Sequence, residues 1–510
     1  MNRFFPAKKR IMGLFGHLKN ALNSGSIKDS APAAPVGGPP TERSIYQSRQ
    51  NFGVNFGSLF VLEKYIFDEM YVEGGNAECE AIASYARKNG IDATRTKMEN
   101  HWLNYCSDSD WEWLKSKGIQ SIRIPIGYWT VNGGQFTRGT NFESISGVYV
   151  NAWNILKDKY INKAKQYNIS ILVDLHGLPK GANTGDHSGE TFKEAGFWND
   201  HKAIDLAVDV CAFIANDLKN YDNVSGLQIV NESVFSNNPS GQERYYRKAS
   251  NEIRKYNQDI PIIISDGWWP KQWIDFLSRE SNGNIGSLGI VIDDHIYRCF
   301  SDDDKRKRVE DITNDLPNSV IPEAADNADF IIGEYSCVLD TQSWNNSGNA
   351  NRDELVKNYG NKQTEVFKRK AKTGTYFWTF KFQNGDGGEW GIVPMIDRGC
   401  IPPRNTSLRE PSKEDFDNIF NNIFQQHQNY WLSQNPNEKY EFWRYQEGFI
   451  TAWSDSVAFL KLDNSRIGRV VAWSYARRME HTKARGNSRF LWQWDAGFFE
   501  ALNKFEEHFH

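Results

Sequence analysis

One pattern constrains this chain more than any other. From about residue 50 onward, short apolar, β-branched runs alternate with amphipathic stretches of helical period. The runs are GVNFGSLFVL (53–62), SIRIPI (121–126), ISILVDLH (169–176), VSGLQIVNE (224–232), PIIISDGW (261–268), LGIVIDDHIY (288–297), DFIIGEYS (329–336) and GTYFWTFK (374–381). Between them lie DSDWEWLKSKG (108–118), WNILKDKYINKAKQY (153–167) and SGQERYYRKASNEIRKY (240–256), among others. Strands apolar throughout are buried on both faces, which requires a parallel sheet covered by helices. Eight such units predict an α/β fold, a (β/α)8 TIM barrel with its active site at the strands' C-terminal ends. An open doubly wound sheet is the alternative, but no GxGxxG follows the first run.

The rest of the chain divides around that barrel. Residues 1–44 read as a basic tail and a flexible linker, 22–42 being rich in Ser, Ala, Pro and Gly. Residues 45–412 are the predicted barrel, and 413–510 a helical extension closing and packing on it. The Gly- and Pro-punctuated segment 382–412 reads as a functional, lid-like loop. Sixty Lys and Arg against 64 Asp and Glu argue against a nucleic-acid binder. No apolar run is long enough for a transmembrane helix. Six cysteines without a CxxC pair indicate neither a zinc site nor a disulfide framework. The N-terminal MNRFFPAKKRIMGLFGHLKNAL is basic and lacks the apolar core of a secretory signal, so a cytoplasmic protein is expected. With no acid before Asp29, a mitochondrial presequence or a helix making peripheral membrane contact are the alternatives to a solvated tail.

The polar residues at the run ends carry the chemistry. Arg123 lies in the second run; Asp174 and His176 end the third, Asn231 and Glu232 the fourth. His295 and Tyr297 end the sixth, Glu334 the seventh, and Trp378 lies in the eighth. Two glutamates at one barrel mouth fit glycoside hydrolysis, in which one carboxyl protonates the leaving oxygen and the other attacks the anomeric carbon. On pattern alone, either glutamate could equally be a surface ion-pair partner, and His176 alone would be a core histidine. No HExxH or His-rich ligand spacing is present, so no metal is expected, and glycoside hydrolysis by two carboxylates needs no cofactor. Aromatic residues make up 14% of the chain, including 18 Trp, and these serve either a core, sugar stacking, or both. Six Trp fall at or beyond run ends and are the stacking candidates: Trp129, Trp268, Trp269, Trp344, Trp378 and Trp390. The others lie mainly on helical stretches and are expected in the core.

These motifs together resemble glycoside hydrolase family 5, in its fungal exo-β-1,3-glucanase-like branch. GVNFGSLFVLE (53–63) is similar to the family's GxNLGGWLVLE, and HGLPKGANTGDHSG (176–189) to HGAPGSQNGFDNSG; ENHW (99–102), IVNES, DDHIYRCF and IIGEYS complete the set. The resemblance implies Glu232 as acid/base and Glu334 as nucleophile of a retaining mechanism, with Arg123 aligning Glu334 and Asn231 on the sugar 2-hydroxyl. It implies that His295 and Tyr297 line the pocket, that Glu63, His176, Asn183 and Asp186 bind hydroxyls of the terminal sugar, and that Trp378 is its stacking floor. Two close carboxylates do not both ionise cheaply, so Glu232 is expected to keep its proton near neutral pH.

Three departures stand out. Ser233 replaces the Pro after the acid/base, which also creates a glycosylation sequon, Asn231-Glu232-Ser233, on a site residue. A chain that avoids the secretory pathway escapes a glycan there. Phe300 matches one half of the family's Phe clamp on the aglycone, whereas Gly185 stands where the other belongs. The extension after 412 resembles a longer, intracellular branch. The expected protein is a retaining, exo-acting β-glucosidase acting on β-1,3-glucan fragments or glucosides with bulky aglycones. The alternatives are a steryl- or ceramide-glucoside β-glucosidase, a transglycosylase, and a non-catalytic carbohydrate-binding or scaffold protein.

Overall fold

The computed structural model describes residues 26–27, 38–322 and 327–510; the basic tail and most of the linker fall outside the described residues. Eight parallel strands close into one barrel: β1 (Asn51–Asn55), β2 (Ser121–Gly127), β3 (Ser170–Gly177), β4 (Val224–Gln228), β5 (Ile262–Ser265), β6 (Ile290–Ile296), β7 (Asp329–Tyr335) and β8 (Gly374–Phe377). β8 pairs with β1 through Phe52↔Thr375 and Gly53↔Tyr376, so no sheet edge is left unpaired. Each predicted run contains or overlaps a strand, yet the first, fourth, fifth and eighth run several residues past theirs. Phe56, Leu59, Phe60, Val61 and Leu62 leave β1 but remain buried, because the loop folds down over the surrounding helices. Apolarity records burial, and a buried loop gives the same signal as a buried strand.

The barrel interior is layered, as inward residues recur every second position. Leu172, Ile263, Val291, Ile331 and Tyr376 form an apolar plug. One step toward the C-terminal ends, Asp174 and Asp293 follow Leu172 and Val291 on the same faces, and the filling turns polar.

Helix α1 (Glu42–Ser48), capped by Thr41, lies ahead of β1 and leads into Arg49. This arginine is fully buried and donates to the carbonyls of Gln120 and Asn168 (3.0 Å for the latter), tying the starts of β2 and β3 together. Helix α2 (Asp108–Ser116) starts on a reciprocal cap between Ser107 and Asp110, and α3 (His201–Asp217) on the Asp200 carboxylate. Four further helices follow the barrel: α4 (Lys413–Gln434), α5 (Phe442–Lys461), α6 (Val470–Arg485) and α7 (Leu491–Phe509).

These four helices carry a core of their own. Phe416, Phe420 and Phe424 recur every fourth residue on α4, with successive ring centroids 5.5 and 5.1 Å apart, and pack on Tyr445, Phe449 and Trp453 of α5. The unit sits on the strands' N-terminal side. Gly468 and Arg469 donate backbone N–H to the Ser48 carbonyl (2.8 and 2.9 Å), and Gln50 N–H donates to the Arg466 carbonyl (2.9 Å). Asp329, the first residue of β7, caps α6 by accepting from Val471 and Ala472 N–H (3.0 and 3.1 Å). Among the described residues no helix is long and apolar enough to cross a membrane.

Candidate active site

At the opposite end the polar layer is organised around Arg123. Its side chain is fully buried and every branch of the guanidinium is engaged. Nε donates to Gln228 Oε1 (2.9 Å), and Nη1 to Asn55 Oδ1 and Glu334 Oε1 (both 2.9 Å). Nη2 donates to Asn231 Oδ1 (2.7 Å) and pairs with Asp174 Oδ2 at 3.0 Å. Burial alone would weaken this cation, but Asp174, Glu334 and Asp293 outweigh it and keep Arg123 charged. Glu334 is thereby fixed from one side, while Tyr297 donates its hydroxyl to Oε2 from the other (2.9 Å).

Glu232 faces Glu334 across the mouth. Its backbone sits at φ 34°, in the left-handed region that non-glycine residues rarely adopt. Local strain of this kind, about 1–3 kcal/mol, persists only where neighbours fix it. Here the Asn183 amide donates to the Glu232 carbonyl (3.0 Å), and Ser233 N–H donates to Ser265 Oγ (3.0 Å). A proline at 233 has no N–H to make that second bond, so Ser233 supplies restraint in a different form. The carboxylate itself is held by His295 Nδ1 on Oε1 (2.9 Å) and approached by His187 Nε2 at 3.2 Å from Oε2. The latter contact has ion-pair distance but lies off the line of a straight hydrogen bond. His295 is anchored in turn by Asp293 Oδ2 on its Nε2 (3.0 Å), and Asp293 accepts from Gln228 Nε2 (2.7 Å).

This environment corrects the protonation expected for Glu232. Burial pushes its carboxyl up, but the close imidazoles of His187 and His295 outweigh burial and hold it well below the usual carboxylate range. Burial lowers His187, yet the neighbouring Glu232, Glu63 and Glu334 carboxylates raise it to about 9. His295 is raised as well, against burial, by Glu334, Asp293 and Glu232. With Glu232 held low and both imidazoles raised, the proton rests on imidazole. Pairing the two carboxylates with each other misses this, because His295 Nδ1 stands 2.9 Å from Glu232 and 3.5 Å from Glu334, and His187 flanks the other oxygen of Glu232.

The other predicted residues are distributed unevenly. His176 Nδ1–H donates to Asp174 Oδ2 (2.6 Å) and its Nε2 accepts from the Asn231 amide Nδ2 (3.2 Å), so Asn231 is fixed from two directions. Trp378 is buried, its ring nearly parallel to that of His176 with centroids 6.3 Å apart, and its Nε1 donates to the Tyr65 hydroxyl (2.6 Å). Glu63 is close enough to His187, Glu334 and Glu232 to feel their charge, but burial dominates and raises it to about 8. Phe300 is 64% exposed at the rim, between Tyr297 (5.7 Å) and Trp390 (6.5 Å). Asn183 spends its amide on scaffolding, since Oδ1 accepts from Gly185 N–H and Ser188 Oγ (both 2.8 Å). Asp186 is exposed and meets Thr191 Oγ1 at 3.4 Å, outside the cluster.

The tryptophans expected to stack on sugar separate in the same way. Trp390 belongs to segment 382–412, which folds back so that its ring meets Tyr297 (5.5 Å) and Tyr65 (6.4 Å) at the mouth. Trp129 is instead buried against Phe142 with centroids 4.0 Å apart, so it serves the core. Trp344 is half-buried with the Arg352 guanidinium 4.5 Å above its ring. Sequence reasoning misses Asn55, Gln228, Asp293, His187 and Tyr65. Gln228 and Asp293 carry a visible signal, a polar side chain that directly follows apolar residues within a predicted strand run. The other three sit in or next to loops, where position alone is uninformative.

One oxygen of Glu232, one of Glu334 and a His295 nitrogen all lie within 4.8 Å of one another. Among the described residues this is the cluster compact enough to hold a cation, and it is also the set that two-carboxylate hydrolysis requires. A barrel of this topology with two glutamates converging at the strands' C-terminal ends defines a glycosidase-type site. The family model for cellulase (glycosyl hydrolase family 5) matches residues 86–384, more than half of the chain, which belongs to that family and is a glycoside hydrolase. A second model, the glucan 1,3-beta-glucosidase 3 C-terminal domain, matches 412–509.

The chain is 39% identical to an uncharacterized glycosyl hydrolase of Saccharomyces cerevisiae, over 97% of this chain and 98% of the relative. It is 29% identical to glucan 1,3-beta-glucosidase 3 of Schizosaccharomyces pombe, over 86% and 92%. Among solved structures, rutinosidase from Aspergillus niger shares the fold at TM-score 0.56 and 19% identity, covering 70% of this chain and 98% of that one. The chain is thus a glucan 1,3-beta-glucosidase-like hydrolase.

Proposed function

We propose that the protein is a retaining, exo-acting β-glucosidase, and one observation carries this reading. Carboxylate oxygens of Glu232 and Glu334 come within 4.8 Å of each other. Retention needs carboxyl groups about 5–5.5 Å apart, whereas inversion needs about 6.5–9.5 Å to admit a water between them. Glu334, aligned by Arg123 and Tyr297, attacks the anomeric carbon as Glu232 protonates the departing oxygen. Glu232 then takes a proton from the water that hydrolyses the glycosyl–Glu334 ester. Asn231, held by Arg123 and His176, is placed for the 2-hydroxyl. Trp378 floors the pocket, and Tyr65, Trp390 and Tyr297 wall it, which favours a terminal sugar over the middle of a chain.

The aglycone side supports bulky, apolar leaving groups, including steryl or ceramide moieties. Phe235, Trp268 and Trp269 on the loops after β4 and β5 are 52%, 50% and 41% exposed, at the same end as Glu232. Exposed aromatics grouped in this way mark a binding surface rather than core. The six cysteines are free thiols, in keeping with a reducing compartment, cytoplasmic or mitochondrial. Wild type and Glu334→Gln are to be assayed on p-nitrophenyl β-glucoside, laminarin oligomers, and steryl and ceramide glucosides, with NMR of the first-formed anomer. Turnover by wild type only, with β-anomer first, is the expected result. An α-anomer overturns retention, and inertness on every substrate overturns the reading.

A further inference from the structure

We propose that His187 is the positioning residue of the acid/base, holding the Oε2 edge of Glu232 and storing on Nε2 the proton that Glu232 delivers to the leaving oxygen. The inference rests on the retaining-glucosidase reading and assigns a residue beyond it. Its first support is geometric: the two oxygens of Glu232 are held by different imidazoles, His295 at 2.9 Å and His187 at 3.2 Å. His295 is committed on its far nitrogen to Asp293, whereas His187 Nε2 makes no hydrogen bond to any described residue and has the Glu232 carboxylate at ion-pair distance.

The second support is how room is made for the ring. A Cβ at Gly185 would lie 2.3 Å from His187 Cε1 and 2.7 Å from Nε2, far inside contact distance. The backbone there is ordinary, with φ −71°, so conformation does not demand glycine; the imidazole does. In the motif HGAPGSQNGFDNSG that this loop resembles, positions 185 and 187 carry Phe and Asn. The two departures are therefore one physical change, in which an aromatic side chain leaves and an imidazole occupies its space against Glu232.

The groups facing His187 are the carboxylates of Glu232, Glu63 and Glu334 and the edge of His176, its centroid 5.4 Å away. Glu232 and Glu334 against one neutral imidazole favour a protonated ring. In the glycosylation step the Nε2–H bond breaks and the proton moves to Glu232 Oε2. The Glu232 O–H bond then breaks as the glycosidic oxygen gains the proton, C1–O opens and Glu334–C1 forms. In the second step water loses its proton to Glu232, and from there to Nε2, so the proton count is restored over the cycle.

Two measurements test this. The first is the pH dependence of kcat/KM on an alkyl glucoside and on a dinitrophenyl glucoside, whose departure needs no proton. With wild type the basic limb is expected near pH 9, the value His187 takes in this setting. His187→Asn should move that limb down by about one pH unit or more for the alkyl substrate and leave the dinitrophenyl rate within about twofold. Gly185→Ala, which keeps the histidine but crowds its ring, should shift the limb in the same direction. A wild-type basic limb in His187→Asn overturns the proposal. The second measurement needs no turnover: 15N NMR of the His187 ring in the free protein and in Glu232→Gln. A fall of more than about one pH unit in its titration is expected, and an unchanged titration overturns the assignment even if no substrate is ever found.

Discussion

The two ends of this molecule use similar side chains in opposite ways. At the mouth, aromatic rings such as Trp378, Trp390 and Tyr297 surround a network in which Arg123, Asn231, Asp293 and Glu334 each meet several partners. At the far end, Phe416, Phe420, Phe449, Trp453 and Phe505 belong to an apolar cluster in which ring packs on ring. Rings in the first region supply shape to a polar, strained pocket; in the second they supply burial to helices too weak to stand alone. The difference teaches that aromatic content by itself carries no function. What matters is whether the rings border groups that hold charge.

Four experiments can break or sharpen that contrast. Glu334→Gln should lower kcat about a thousandfold or more while the melting temperature stays within a few degrees, since the amide still accepts from Arg123. A large loss of stability instead would mean the mouth is structural before it is catalytic. Trp453→Ala, which removes a buried ring from between Phe416, Phe449, Phe505 and Phe509, should cost about 3–5 kcal/mol in denaturant unfolding. Specific activity of the remaining folded protein should not change; a fall in kcat would show that the extension reaches the site.

Asp329→Ala strips the cap that β7 lends to α6 and should cost about 1–2 kcal/mol, read as earlier loss of protection in hydrogen exchange over 470–485. Equal loss across the barrel strands would mean that extension and barrel unfold as one unit. The smallest effect concerns Asp294, buried beside Asp266 and Asp293. Burial raises it to about 7, so folding favours its protonated form, and the associated stability falls as pH rises from about 4 through 7. Asp294→Asn should therefore raise the melting temperature by a few degrees at pH 8 and change it little at pH 4. The opposite pH order would contradict the assigned shift.

Much of this is legible in the chain. A buried parallel strand has no polar face, so its run of Ile, Val and Leu is visible without alignment, and eight runs leave few topologies. Glu232 and Glu334 are legible because barrel chemistry is confined to strand ends. Asn183 misleads in kind: its place in the loop motif suggests a sugar contact, but its amide is bonded to the chain itself. Asp186 likewise shares the motif and yet points away from the cluster. His187 gives no signal along the chain, because the meaning of a loop histidine depends on what faces it across the mouth.

By itself, then, the sequence determined the barrel, its eight strands, the converging glutamates and the arginine beside them. These follow from local periodicity and from the rule that strand ends share one face. Only the tertiary structure decided the charge state of the site and the place of the extension. Both depend on distances between groups remote in sequence: the imidazole of His187 lies 3.2 Å from the Glu232 carboxylate, and the Asp329 carboxylate caps a helix that begins at Val470. Coulomb and hydrogen-bond energies fall off over a few ångströms, and no pattern along the chain encodes that spacing.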